Sequence, residues 1–173
     1  LRRAHAVVLT RCEQIEGGPE AALALAGRLR QRFPHLTIAR TQTELLGLAS
    51  AEGALTEPRE GLRGARVALF CATGAPEAIR RALERAGAAV ALFRPLPDHA
   101  AAGPEFLTEL RKEAARLGVE RLVCTRKDAV KLAAAEFTRA EAPIRILLSR
   151  IVFCDSGEEA ELTRRILEAA RRG

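Results

Sequence analysis

The sequence predicts an α/β fold, a three-layer Rossmann-like sandwich with a mostly parallel sheet, and three observations carry that reading. Short apolar runs recur along the chain, separated by helical stretches of about ten residues or more, the pattern of βαβ units. The runs themselves are apolar from end to end, as strands covered on both faces must be. Finally, 173 residues of which 48% are apolar can fill a sizeable core.

Taken in order, Ala6-Val7-Val8-Leu9 reads as a buried strand. Gly17-Gly18-Pro19 then leads into an Ala/Leu-rich helix from Glu20 to Phe33, with Pro19 placed in its first turn. Leu36 to Ala39 is a short strand, and Thr41 to Gly61, punctuated by Gly47, Gly53, Pro58 and Gly61, reads as a connector holding a strand near Leu45 to Leu48. We place a boundary there, with residues 1–60 as an N-terminal βαβ segment and connector and residues 61–173 as a Rossmann-like domain. The second part is regular: strand Arg66–Cys71, helix Pro76–Ala86, strand Ala89–Phe93, helix Pro104–Leu117, strand Arg121–Thr125. A strand from Ile144 to Phe153 follows, and then a helix starting near Gly157, where Ser156 and Glu159 stand at capping-box spacing.

The chain opens on Leu1 and contains no Met, so it reads as a piece of a longer protein. Nothing at its start resembles a signal peptide, and no apolar run is long enough to span a bilayer. Cys12, Cys71, Cys124 and Cys154 have no CxxC spacing and read as buried free thiols rather than zinc ligands or disulfides. The formal charge of +6, with only three lysines (Lys112, Lys127, Lys131) among 28 basic residues, favours phosphates or anionic lipid. Nucleic acid is disfavoured, because six Phe and no Trp or Tyr leave little surface for base stacking.

Loops at the C-terminal edge of a parallel sheet are where α/β proteins place ligands and chemistry. Three such loops stand out. Ala72-Thr73-Gly74-Ala75 delivers the chain into a helix start, where free N–H groups can cradle a phosphate, although every βα unit needs a turn of this kind. Asp98-His99 follows Arg94-Pro95-Leu96-Pro97; a carboxylate beside an imidazole can orient it and raise its basicity, and it can equally form a local Asx-turn. Thr125 and Asp128 have the spacing of a helix cap, which accounts for both without a ligand but leaves Arg126 and Lys127 as cations needing an anion nearby. His5 and His35 read as incidental. No GxGxxG or GxxxxGK[ST] occurs anywhere, so these residues hold no ATP cradle of their own.

RVALF followed by CATGAPEAIRRALERAG, then LFRPLPDH, then LGVERLVCTRKDAVKL, with LRRAHAVVLTR before them and IVFCDSGEEAEL after, resemble the C-terminal half of the tetraacyldisaccharide 4'-kinases. The resemblance covers nearly the whole chain. It implies a two-domain enzyme of lipid A biosynthesis in Gram-negative bacteria, acting at the cytoplasmic face of the inner membrane. That enzyme transfers the ATP γ-phosphate, with Mg²⁺, to the 4'-hydroxyl of a lipid A disaccharide 1-phosphate precursor. ATP and Mg²⁺ would be bound mainly by the N-terminal P-loop domain, which would be this segment's partner and its route to an anionic membrane surface. Asp98 and His99 match the family's Asp-His pair, whose His assists an Asp base from the other half, and Thr125, Lys127 and Asp128 match its T-x-KD element, which lines or organises the cleft; Gly74 stays a candidate phosphate contact through its turn alone. Departures stand at Ala102, where the family usually has an aromatic residue, at Arg126, where it has Glu, and at Ala72 in the CATG turn.

Two functions follow. One is the C-terminal part of a lipid kinase, inactive without its P-loop half. The other is a non-catalytic Rossmann-like module holding a phosphorylated ligand or a partner protein.

Overall fold

The computed structural model describes residues 4–171. Its elements are β1 (Ala6–Leu9), α1 (Gly18–Arg32), β2 (Thr37–Ala49), β3 (Leu55–Pro58), β4 (Arg66–Cys71), α2 (Pro76–Arg85), β5 (Ala89–Pro95), α3 (Pro104–Arg116), β6 (Arg121–Cys124), α4 (Arg126–Ala129), β7 (Ile144–Phe153) and α5 (Ser156–Ala170). The chain gathers into two compact units, one running to Glu44 and resuming at Arg150, the other Leu45–Ser149. The boundary expected near residue 60 falls inside the second unit, in a 3-10 turn at Arg59–Leu62.

In the Leu45–Ser149 unit β7, β6, β4 and β5 lie side by side in that order, all neighbouring pairs parallel. The layering follows from strand alternation. Along β4, Val67 and Leu69 pack in one buried cluster with Leu83 of α2, whereas Ala68 and Phe70 pack in another with Leu107, Leu110 and Ala114 of α3. β6 divides the same way, Val123 to the α2 side and Leu122 and Cys124 to the α3 side. One helix thus covers each face, the arrangement the uniformly apolar strands require. Cys71 and Cys124 are buried and unpaired, and burial, with the Asp128 charge as the second cause, pushes the Cys71 thiol up to about 11 and the Cys124 thiol further in the same direction. Neither thiol ionises near neutral pH.

The strand expected near Leu45 to Leu48 is present, but the connector expected before it is not: β2 runs unbroken from Thr37 to Ala49. Gly47 does not break it. With φ at 143° it sits where a Cβ would collide with the Glu57 carbonyl oxygen of the antiparallel partner β3, so glycine here permits close backbone approach.

In the other unit β1 pairs in parallel with β2, from Ala6↔Thr37 to Leu9↔Arg40, and Ala26 of α1 packs on Leu36 and Ile38. The cap of α5 also differs from expectation. Asp155, not Ser156, is the N-cap, and its side chain accepts from the Glu158 N–H at 3.0 Å. Both residues have an acidic group three positions on, and the choice is made by Glu158. Its carboxylate, only 10% exposed, is held by Arg30 at 2.5 Å and by the Arg40 guanidinium and backbone N–H at 3.0 and 2.8 Å. Such charge-assisted bonds fix the helix start one residue earlier.

Candidate functional site

β4, β5 and β6 end in register at one edge of their parallel sheet, with Cys71 beside Pro95 and Leu69 beside Val123. The loops that follow them therefore emerge together. The loop after β5 is tethered at its start by the Leu96 N–H donating to the Cys71 carbonyl at 2.9 Å. It then turns sharply: the Ala100 N–H donates to the Pro97 carbonyl at 3.0 Å, closing a β-turn whose third residue, His99, has φ 65°. Glycine normally fills such a position, because an L side chain there crowds its own carbonyl at a cost of roughly 1–2 kcal/mol. A histidine held in that conformation displays its imidazole outward, 78% exposed.

Asp98 accepts the His99 backbone N–H through Oδ1 at 3.1 Å, the local turn contact, and brings Oδ2 to 3.5 Å from His99 Nε2. The same Oδ1 accepts from Lys127 Nζ at 3.1 Å. Lys127 thus meets an acidic neighbour, and the two corners singled out in the sequence lie against each other as a Lys127–Asp98–His99 row. Above all, the hydrogen bond from Lys127 holds the Asp98 carboxyl below its ordinary value of 3.8, and the His99 charge adds to this. Because folding lowers this pKa, the stabilisation from the contact is complete above the ordinary value and is lost as the pH falls through the lower folded one. Replacing Lys127 by methionine should return the Asp98 titration, followed by carboxyl ¹³C NMR, toward 3.8. The fold should barely notice, since a solvent-screened pair on the surface contributes little to stability.

Thr125 and Asp128 lie beneath this row as a cap. Thr125 Oγ1 donates to Asp128 Oδ2 at 2.6 Å and accepts from the Asp128 N–H at 3.3 Å, while Asp128 Oδ2 also accepts the Thr125 N–H at 3.4 Å. Asp128 does more than cap. It is 4% exposed, and its Oδ1 accepts the Ala72 N–H at 3.0 Å, which ties the turn after β4 to the turn after β6. That amide is then not free for a ligand. Gly74, two residues on, is exposed, with open space where a Cβ would stand and no positive φ, so neither crowding nor backbone conformation demands glycine there. The Arg126 guanidinium lies against Gly53, and Ala102 packs on the α3-side core. Among the described residues no group of three or more His, Cys, Asp or Glu side chains could hold a metal ion.

One participant was missed from the sequence. Lys131 Nζ donates to the carbonyls of His99 at 2.9 Å and Ala100 at 3.0 Å. Its only sequence signal is a position four residues after Lys127, one turn along.

The family model described as tetraacyldisaccharide-1-P 4'-kinase matches residues 1–170. A tetraacyldisaccharide 4'-kinase of Anaeromyxobacter dehalogenans (strain 2CP-C) is 36% identical over 149 residues, covering 85% of this chain and 38% of that protein. Another, from Syntrophus aciditrophicus, is 31% identical over 123 residues, covering 71% of this chain and 31% of that protein. An LpxK from Aquifex aeolicus, crystallised in complex with ATP, matches with a TM-score of 0.52 at 21% identity, over 95% of this chain and 43% of that one, a likeness of fold. The chain spans about 38% of the length of the first of these curated relatives.

Proposed function

Because this chain belongs to the tetraacyldisaccharide-1-P 4'-kinase family, we propose that it supplies the Asp98-His99 side of the active site of an ATP-dependent lipid kinase. The reaction is transfer of the ATP γ-phosphate to the 4'-hydroxyl of a lipid A disaccharide 1-phosphate precursor. The observation that carries this reading is the Lys127–Asp98–His99 row on an edge where parallel strands end, with an exposed imidazole held by a strained turn.

Phosphoryl transfer asks a protein chiefly for positioning and charge, and for a group to steer the attacking hydroxyl. Asp98, with Oδ2 3.5 Å from Nε2, orients the His99 ring; His99 assists the base of the P-loop half as the 4'-hydroxyl proton leaves. Lys127 spends one of its three N–H groups on Asp98 and has the others for phosphate, with the open turn at Gly74 alongside as a second contact. Mg²⁺ would neutralise phosphate charge in such a reaction and, as the family resemblance implies, would be held mainly by the P-loop half; no step of this chain runs through it. Among the described residues no helix is long and apolar enough to cross a membrane. Attachment to the inner-membrane surface is assigned to the P-loop half as part of the same reading.

The test is label transfer from γ-³²P-ATP to a tetraacyldisaccharide 1-phosphate. The full-length protein should label the lipid, and the 173-residue chain, lacking GxxxxGK[ST], should not. That same lack favours a second reading, a module that holds a phosphorylated ligand without turnover, and a full-length protein that binds the lipid phosphate yet transfers no label would establish it.

A further inference from the structure

We propose that Lys131 is a positioning residue, a clamp that holds the His99 turn in its strained conformation; the catalytic consequence rests on the kinase reading above. A histidine with φ 65° at a turn position suited to glycine relaxes unless something else fixes it. The usual local ties are few here. The Pro97–Ala100 hydrogen bond closes the turn, and Asp98 Oδ1 takes the His99 N–H, but neither engages the carbonyl that the left-handed conformation brings round. Lys131 Nζ does so, at 2.9 Å to the His99 carbonyl and 3.0 Å to that of Ala100.

The clamp is itself anchored. The Lys131 backbone N–H donates to the Asp128 carbonyl at 3.0 Å, and Asp128 is the buried residue whose carboxylate joins the turns after β4 and β6. One short segment therefore sends two ammonium groups to the same loop in different roles: Lys127 to the Asp98 carboxylate, setting charge, and Lys131 to two backbone carbonyls, setting shape. A neutral side chain of similar length would retain the stem and lose the grip, and a guanidinium, with its fork of donors, would keep it.

The test compares Lys131→Met and Lys131→Arg, alone and with His99→Ala. In the full-length enzyme Lys131→Met should lower kcat about ten-fold with KM for both substrates within about two-fold, because loss of orientation costs turnover rather than binding. Lys131→Arg should recover kcat to within about three-fold of the parent. In the His99→Ala background Lys131→Met should cost less than about two-fold more, the non-additivity expected of residues acting through one another. In the 173-residue chain the His99 Cε1–H resonance should be one sharp line in the parent and should broaden or split in Lys131→Met with the melting temperature unchanged. An unaltered resonance overturns the clamp. So does an equal kcat loss with and without His99, which would mark a general structural effect. If His99→Ala itself leaves turnover intact, the kinase role of His99 fails, while the resonance still decides whether Lys131 fixes the turn.

Discussion

On the kinase reading proposed above, replacing His99 by alanine in the full-length protein should lower kcat about 10²–10³-fold, with KM for ATP and for the disaccharide within about three-fold of the parent. The magnitude is that of a proton-transfer partner, not of a structural side chain. His99 is 78% exposed and packs against no core, so its removal opens no cavity, and the melting temperature should stay unchanged. Steady-state kinetics with calorimetry separates the two effects, and turnover within a few-fold of the parent removes His99 from the chemistry. Asp98→Asn is the informative companion: it keeps an acceptor for the His99 N–H and Lys127 but gives up the carboxylate charge beside the imidazole, so it should fall between parent and His99→Ala.

Asp128→Ala should be the most destabilising substitution in this region, by about 3 kcal/mol. The Ala72 N–H, wholly buried, would lose its acceptor, and the Thr125 hydroxyl and N–H would lose theirs. An unmet buried donor costs about 1–3 kcal/mol and a lost cap about 1 kcal/mol more. For a chain of this size that corresponds to a fall in melting temperature of roughly 6–12 °C. With no Trp or Tyr to report fluorescence, far-ultraviolet circular dichroism or calorimetry is the measurement. Asp128→Asn, which retains one acceptor oxygen, should lose about half as much. A change below ~0.5 kcal/mol in Asp128→Ala would show that the two turns are joined by other means.

The two substitutions divide what was legible in the sequence from what was not. Thr125 and Asp128 could be read as a cap because the partners are three residues apart and the geometry of a helix start is local. That Asp128 also reaches Ala72, 56 residues away, could not be read, because it depends on β4 and β6 being neighbours. The α5 cap shows how narrow the margin can be. Asp155 and Ser156 satisfy the same spacing rule, and the outcome turned on Arg30 and Arg40, distant in sequence, claiming the Glu158 carboxylate. Gly47, one of the glycines that punctuate the expected connector, is ambiguous for the same reason: glycine marks either a turn or a close approach of two backbones, and only β3 lying alongside makes it the second.

Left to itself, the order of residues settled the α/β class, the apolar strands and the existence of two chemically equipped corners, because these follow from periodicity and from parallel strands ending at one edge. The folded chain decided which cation answers which group. Arg126 and Lys127 are adjacent and alike in charge, yet only Lys127 meets Asp98, and Lys131, unremarkable in the sequence, grips the His99 turn through backbone carbonyls. A side-chain pairing with a carbonyl on another loop leaves no trace in residue type, since every residue carries that carbonyl; it exists only once packing has brought the loops together.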